Sequence, residues 1–309
     1  MRWLDKRYHS LNYELRKEFN QKVIKLSLSG GFTCPNRDGT IGSKGCLFCS
    51  EKGSGEFAAS KELNIKEQIN EQKNFLSKKW QTGKYIAYFQ SYSNTYSTVK
   101  DLKYKFNEAI DSKGVVGLAI ATRPDCLNED ILDLLSDLNK RTYLWIELGL
   151  QTIHEKTAKL IRRGYDLNYF SDAIKKLNDR NIKVVTHLIM GLPSETKNDM
   201  LESVKYISNL NLFGVKFHLM HILKDTDLYK YYNDNPFKLF KKEEYISLIA
   251  DTIELLPPKI VIHRLTGDGA KEKLIAPRWS LNKLSVLTGI DKELKIRDTY
   301  QGFRYEKSF

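Results

Sequence analysis

Along the chain, short runs of β-branched and aromatic residues alternate with longer stretches whose apolar residues recur at helical spacing. "KVIKLSLS" (22–29) alternates as a strand, and 63–80 places Leu63, Ile65, Ile69, Phe75 and Leu76 as a helix would. "YIAYFQ" (85–90) predicts the next strand, followed by a helix over roughly 98–111. "VVGLAIAT" (115–122) and the helix 128–140, with Asn128 as N-cap, form a third pair. "YLWIELGLQ" (143–151), helical material to about 180 and "IKVVTHLIM" (182–190) continue the alternation. A helix over 194–210 opens at Ser194, "GVKFHLMHI" (214–222) predicts a sixth strand, and "IVIHRL" (260–265) is a candidate seventh. Strands that are apolar throughout, separated by helices, belong to a parallel sheet covered by helices. No Gly-rich dinucleotide fingerprint follows the first strand, which favours a barrel over a doubly wound sheet. The expected fold is α/β, a partial (β/α)6 TIM-like barrel over 23–266. An N-terminal extension (1–22) precedes it, and a basic, aromatic C-terminal appendage (267–309) follows.

Composition narrows this picture only slightly. With 41% hydrophobic residues the chain can bury a sizeable core. No stretch approaches the roughly 18 apolar residues that a membrane span needs. The opening "MRWLDKRYHSLNYELRKEF" lacks the apolar centre of a signal peptide, so a cytoplasmic location and no membrane partner are expected. The net charge of +12 suits a polyanionic partner such as nucleic acid, but also any lysine-rich soluble enzyme.

The chemistry concentrates in "GGFTCPNRDGTIGSKGCLFCS" (30–50), which holds three of the four cysteines. Cys46 and Cys49 form a C-x-x-C bite, with Cys34 across a turn-rich segment. The loop follows the first strand and so falls at the barrel's catalytic mouth. A structural zinc site closes with four ligands, and no second C-x-x-C is present; a remote His or Cys126 would have to complete it. A [4Fe-4S] cluster normally takes one thiolate per iron, so three thiolates leave one iron open for a ligand.

Other strand ends carry polar groups. Glu147 and Gln151 share one face of the fourth strand by alternation. A carboxylate in a buried strand is costly unless paired, so a polar ligand or cation is expected beside Glu147, with Arg123 as a candidate across the barrel. His187 ends the fifth strand. His218 and His221 are expected on opposite faces or near the barrel edge, and Cys126 as a buried thiol. Each lone histidine is as readily a satisfied core residue.

With "CLFC", "GFTCPNRDG", "FQSYSNTY", "TRPDCL", "ELGLQ" and "HLIMGLPSET" in order along 31–196, the chain resembles the radical S-adenosylmethionine (SAM) superfamily. Eleven residues separate the first two cysteines, where the superfamily usually has three. The long gap resembles the branch containing the catalytic subunit of Elongator and its bacterial YtqA/YhcC-type subgroup. The resemblance implies a [4Fe-4S] cluster on Cys34, Cys46 and Cys49, with SAM on the open iron. It implies that Phe48 packs on adenine and that Gln90 or Ser91 meets the SAM amino group, where many members have Gly-Gly-Glu. It further implies that Gln151 and Arg163, or Arg162, bind ribose and carboxylate, and that Glu147 and His187 lie by cofactor or substrate. One electron from a flavodoxin or ferredoxin would cleave SAM to a 5′-deoxyadenosyl radical. The implied substrate is tRNA, with a 5-carboxymethylaminomethyl group on wobble uridine converted towards aminomethyl and finished by a downstream SAM-dependent methyltransferase. Arg278, Trp279, Lys283, Arg297, Tyr300, Arg304 and Tyr305 of the appendage are candidates for RNA contact or for packing on the barrel. A radical SAM enzyme for a small molecule or peptide, and a zinc-stabilised RNA-binding module, are the alternatives.

Overall fold

The structure is a computed structural model and describes residues 3–306 except 52, 54, 56, 57, 79, 81, 82 and 268. After α1 (Leu11–Phe19) the chain runs β1 (Val23–Leu28), α2 (Ile65–Ser77), β2 (Lys84–Phe89), α3 (Val99–Ile110), β3 (Val115–Thr122), α4 (Glu129–Arg141) and β4 (Tyr143–Gln151). Then come α5 (Glu155–Leu160), α6 (Leu167–Asp179), β5 (Lys183–Met190), α7 (Lys197–Ser208) and β6 (Gly214–Leu219). The remainder is β7 (Ile222–Leu223), α8 (Asp227–Asp234), α9 (Lys242–Leu255), β8 (Val261–Arg264), β9 (Leu274–Ala276) and α10 (Lys283–Ile296). Seven strands form one parallel sheet in the order β1-β2-β3-β4-β5-β6-β8.

The sheet is curled into a half-barrel, and one hydrogen bond demonstrates it. On a flat sheet β2 and β6, four strand spacings apart, would lie about 19 Å from each other. Instead Lys216 Nζ on β6 donates to the Tyr88 hydroxyl on β2 at 2.9 Å. Residues facing the helices, such as Leu26, Phe89, Ile120, Leu148, Leu188 and Phe217, pack with α2–α7 into the main core. Inward-facing Ile86, Ala119, Trp145, Val185 and Val261 form a second apolar layer, closed from below by Leu11 and Leu15 of α1.

The predicted strands and first helices are where the pattern places them, and Asn128 caps α4 by accepting the Ile131 amide. Helix α7 starts later than expected. Thr196, not Ser194, is its N-cap, in a capping box with Asp199, while Ser194 sits in the preceding turn at φ 69°. The sixth strand also stops short, at Leu219. Ile222 and Leu223 then pair antiparallel with β9. The candidate seventh strand is real: β8 pairs parallel with β6. Helices α8 and α9 were not anticipated. Almost every residue of α9 from Tyr245 to Leu255 is buried, because α7 and α10 cover it; its polar residues Ser247, Asp251 and Glu254 turn onto Arg297 of the tail, so no broad solvent-facing stripe betrays a helix.

Both ends of the described chain serve the base of the half-barrel. His9 O accepts the Ile262 amide, and Gln301 donates to the carbonyls of Pro257 and Ile260 while accepting the His9 amide.

Candidate active site

The loop after β1 is folded by its own turns and then pinned to its neighbours. Cys34 O accepts from Arg37 N at 2.8 Å, and Cys46 O from Cys49 N at 3.0 Å, closing two turns that present the thiols. The buried amide of Asn36 donates to Arg162 O at 2.6 Å. Leu47 N donates to Ile161 O, and Leu228 N to Leu47 O, tying the C-x-x-C segment to α5 and α8. Arg37 clamps the carbonyls of Cys49 and Ser50. The thiols thus sit on a loop with little freedom to rearrange.

Cys34, Cys46 and Cys49 line one cavity of about 290 Å³ at the C-terminal ends of the strands. Phe48, Gln90, Glu147, Gln151, Arg163 and His187 line it too, so six of the seven cofactor-site candidates converge with the three cysteines. Ser91 is buried at 5% exposure and is absent from the cavity wall, where Tyr92 and Ser93 stand instead.

The donor set can be tested against the two metals. Zinc–sulfur bonds of about 2.3 Å would bring thiolates to roughly 3.8 Å of each other. Among the described residues the one group of three donors within 4.8 Å of one another is His154, Asp199 and Glu202, at the surface; the three cysteines are spread more widely. That spread suits thiolates on separate irons of a cube. Asn36 Nδ2 lies 3.5 Å from Cys46 Sγ and Ser93 Oγ 3.9 Å from Cys34 Sγ, outer donors of the kind that tune a sulfur-rich cluster. Cys126 is buried and does not line the cavity that the three loop cysteines share.

Below the loop, one face of β4 carries Glu147, Gly149 and Gln151 into the cavity, as alternation requires. A register shift falls between Gly149 and Gln151, and Gln151 adopts φ 67°, a left-handed conformation unusual for this residue type. A Cβ on Gly149 would lie 2.7 Å from Gln151 Nε2, so only glycine leaves the amide room to lie back along the strand.

Glu147 has no solvent exposure and is paired, though not by Arg123. Lys216 Nζ donates to its Oε2, Trp145 Nε1 to its Oε1 at 2.9 Å, and His187 Nε2 lies 3.0 Å from Oε2. Burial alone would raise this carboxyl, but Lys216 and His187 hold it well below its ordinary range, so it is ionised. Burial lowers His187 to about 4, which leaves a neutral ring. Its Nε2–H then donates to Glu147 and Nδ1 is the acceptor. The expected Arg123–Glu147 pair does not form because Arg123 lies past the end of β3. There it forks onto Asp125 at 2.9 and 2.6 Å and donates to Arg163 O.

Arg163 is 1% exposed and donates to the carbonyls of Tyr165, Leu150 and Thr152 and to Glu155. One of the five guanidinium N–H groups remains for a ligand. Arg162 pairs with Asp227 at 2.6 Å. His218 and His221 both reach the cavity instead of splitting to opposite faces, because β6 ends at Leu219 and alternation lapses. Sequence reading missed Lys216, Tyr88 and Arg264, all in the cavity or its floor. A basic residue on the inward register of an apolar strand, as in "GVKFHL", was the available signal.

In the appendage, Arg297 binds Asp251 and Glu254, Arg304 binds Glu254, and Trp279 donates to Phe240 O, so these three lock the tail onto α9 and its approach. Among the described residues no helix is long and apolar enough to cross a membrane.

A curled parallel half-barrel with three thiols over its mouth defines an iron–sulfur, SAM-type catalyst. The chain belongs to the Radical SAM superfamily, whose sequence model matches residues 34–207, and the Radical_SAM C-terminal domain matches residues 213–296. Members of the family bind a [4Fe-4S] cluster and S-adenosylmethionine. The chain is 47% identical over 303 residues to YtqA of Bacillus subtilis (strain 168), covering 98% of this chain and 94% of that one. It is 34% identical over 292 residues to YhcC of Escherichia coli (strain K12), covering 94% and 93%. Its fold matches the archaeal Elp3 of Methanocaldococcus infernus, solved with an N-terminal deletion, at a TM-score of 0.69 and 18% identity, over 90% of this chain and 64% of that one.

Proposed function

We propose that the chain is a radical SAM enzyme acting on wobble uridine of tRNA. It would carry a 5-carboxymethylaminomethyl group towards the aminomethyl form, ahead of a separate methyltransferase. The observation that carries the chemistry is the three-cysteine loop held rigidly over a cavity whose other walls are strand-end polar groups. Cys34, Cys46 and Cys49 would hold the cluster. Reduced by a flavodoxin- or ferredoxin-type donor, the cluster would supply the electron for reductive cleavage of SAM and so the radical chemistry on the substrate.

The chain's own residues do the rest. Phe48 offers a ring beside the C-x-x-C bite for the adenine, while Gln90, Gln151 and the remaining Arg163 N–H offer polar contacts to SAM. Ser91 would act through its backbone. Arg163 also fixes the turn that carries Gln151, since it grips the carbonyls of Leu150 and Thr152 on either side. Glu147 and His187 present a fixed donor–acceptor pattern to whatever lies beneath, and the apolar layer under them excludes water. For the substrate, support comes from the motif resemblance to the Elongator branch and the net charge of +12.

Two measurements test this. Anaerobically reconstituted chain should be brown and yield 5′-deoxyadenosine under dithionite; a colourless protein with one zinc overturns the chemistry. Mass spectrometry of tRNA nucleosides from a deletion strain should show 5-carboxymethylaminomethyl-uridine accumulating. An unchanged wobble-uridine profile overturns the substrate.

A further inference from the structure

Among the described residues, the charged side chains lining the cavity are Arg37, Arg123, Arg163, Arg264 and Glu147. Four of the five are committed. Arg37 holds two loop carbonyls, Arg123 holds Asp125, Arg163 holds Glu155, and Glu147 is matched by Lys216. Arg264, at the end of β8, makes no hydrogen bond or ion pair among the described residues, although it is half-buried. It stands in register with Lys216, in the floor beneath the cysteine loop. The charge of Lys216 is already spent on Glu147. On the first strand Lys25 adds a further cation, its Nζ 5.0 Å from the centre of the Tyr88 ring. Among the described residues the floor therefore carries more basic than acidic side chains.

A second orphan lies beside it. Among the described residues the buried His218 Nε2 has no hydrogen-bond partner, and its ring packs 5.0 Å from that of His187. A buried polar atom without a partner and a partly buried cation without a counter-charge each cost stability. Both costs vanish if an anion enters between them.

We propose that Arg264, backed by His218, is the seat for a carboxylate carried by the substrate. The planar fork of arginine takes both carboxylate oxygens, and an imidazole N–H takes a second lone pair. Leu219, Met220 and Ile189 wall the same cavity with apolar surface, which suits a small carboxylate arm whose two oxygens the fork takes together. The polar groups offered to SAM, Gln90, Gln151 and Arg163, follow β2 and β4, whereas the seat is on β6 and β8 at the far end of the strand order, so it serves a group other than the one placed at the cysteines. For the identity of the carrier the inference rests on the tRNA reading: the carboxymethyl arm of the modified base would enter here.

The test compares binding of two anticodon stem-loop RNAs by the cluster-loaded chain, identical except for a 5-carboxymethylaminomethyl or a 5-aminomethyl group on the wobble uridine. The native chain should prefer the carboxylate RNA by about tenfold or more, as a charge-assisted bond implies. Arg264→Gln should bring the ratio near one, and Arg264→Lys should keep part of it. Because the ratio is read within one protein, a general loss of folding cannot imitate the result. Equal affinities in the native chain overturn the seat, as does an unchanged ratio in Arg264→Gln. So does equal weakening of both RNAs, which would mean a backbone phosphate. If the native chain binds neither RNA, the tRNA reading is what fails, and acetate becomes the probe. Acetate, but not the neutral isostere acetamide, should then shift the His218 imidazole resonance in the native chain and not in Arg264→Gln; no shift overturns the seat.

Discussion

Replacing Lys216 with methionine isolates the central ion pair. The change keeps most of the side-chain volume but leaves Glu147, with no solvent exposure, hydrogen-bonded only to Trp145 and His187, with Lys25 a more distant cation. Removing one partner of a buried pair typically costs about 3–5 kcal/mol. With a urea m-value of about 3 kcal/mol/M, the midpoint should fall by about 1–2 M. The pH dependence is the sharper signature. In the native protein burial holds His187 at about 4, below its ordinary value of 6.5, so its contribution to stability is lost as pH falls from 6.5 through 4. In Lys216→Met the uncompensated carboxylate draws a proton to His187 or to itself. The folded-state pKa then exceeds the unfolded one, so stability is gained below it and lost as pH rises. Between pH 8 and 6 the variant should therefore recover at least half its loss while the native protein does not gain. Lys216→Met combined with Glu147→Gln should recover most of it at every pH. Anaerobic urea melts followed by far-UV circular dichroism measure all three. A Lys216→Met midpoint equal to native at pH 8, with parallel pH slopes, would refute the reasoning.

Single serine replacements at Cys34, Cys46 or Cys49 should abolish the iron–sulfur absorbance and cut deoxyadenosine formation by about 100-fold or more, as losing a cluster ligand demands. Cys126→Ser should keep the absorbance. Gly149→Ala should push the Gln151 amide, 2.7 Å from the new methyl, out of place, raising the KM for SAM by about tenfold while the melting temperature holds. Arg297→Ala leaves Asp251 to Lys197 and Glu254 to Arg304 and should destabilise the fold by about 1–3 kcal/mol, read as a lowered thermal midpoint without loss of cluster.

The sheet was legible because its strands are apolar on both faces and its turns carry glycine and polar residues, a pattern that "VVGLAIAT" and "YLWIELGLQ" show in pure form. Helix α9 was not legible, since its polar residues turn onto the tail and leave no broad solvent-facing stripe to detect. The three cysteines and the shared face of Glu147 and Gln151 followed from spacing alone. The partner of Glu147 did not: which cation reaches it depends on the curl that brings β6 over β2 and β4, and curl is a property of the closed sheet and not of any one strand. Arg123 was the nearer guess in chain order, but it overshoots its strand by one residue, and Asp125 captures it first.

Because residues 9 and 301 are hydrogen-bonded to one another and to the approach to β8, the half-barrel is tied off at its foot like a drawstring bag. The knot lies on the side opposite the mouth, away from the strand ends that carry the polar groups. Trimming the final helix-and-turn segment would loosen the knot and wet the tryptophan floor long before it disturbed the sulfur-bearing rim.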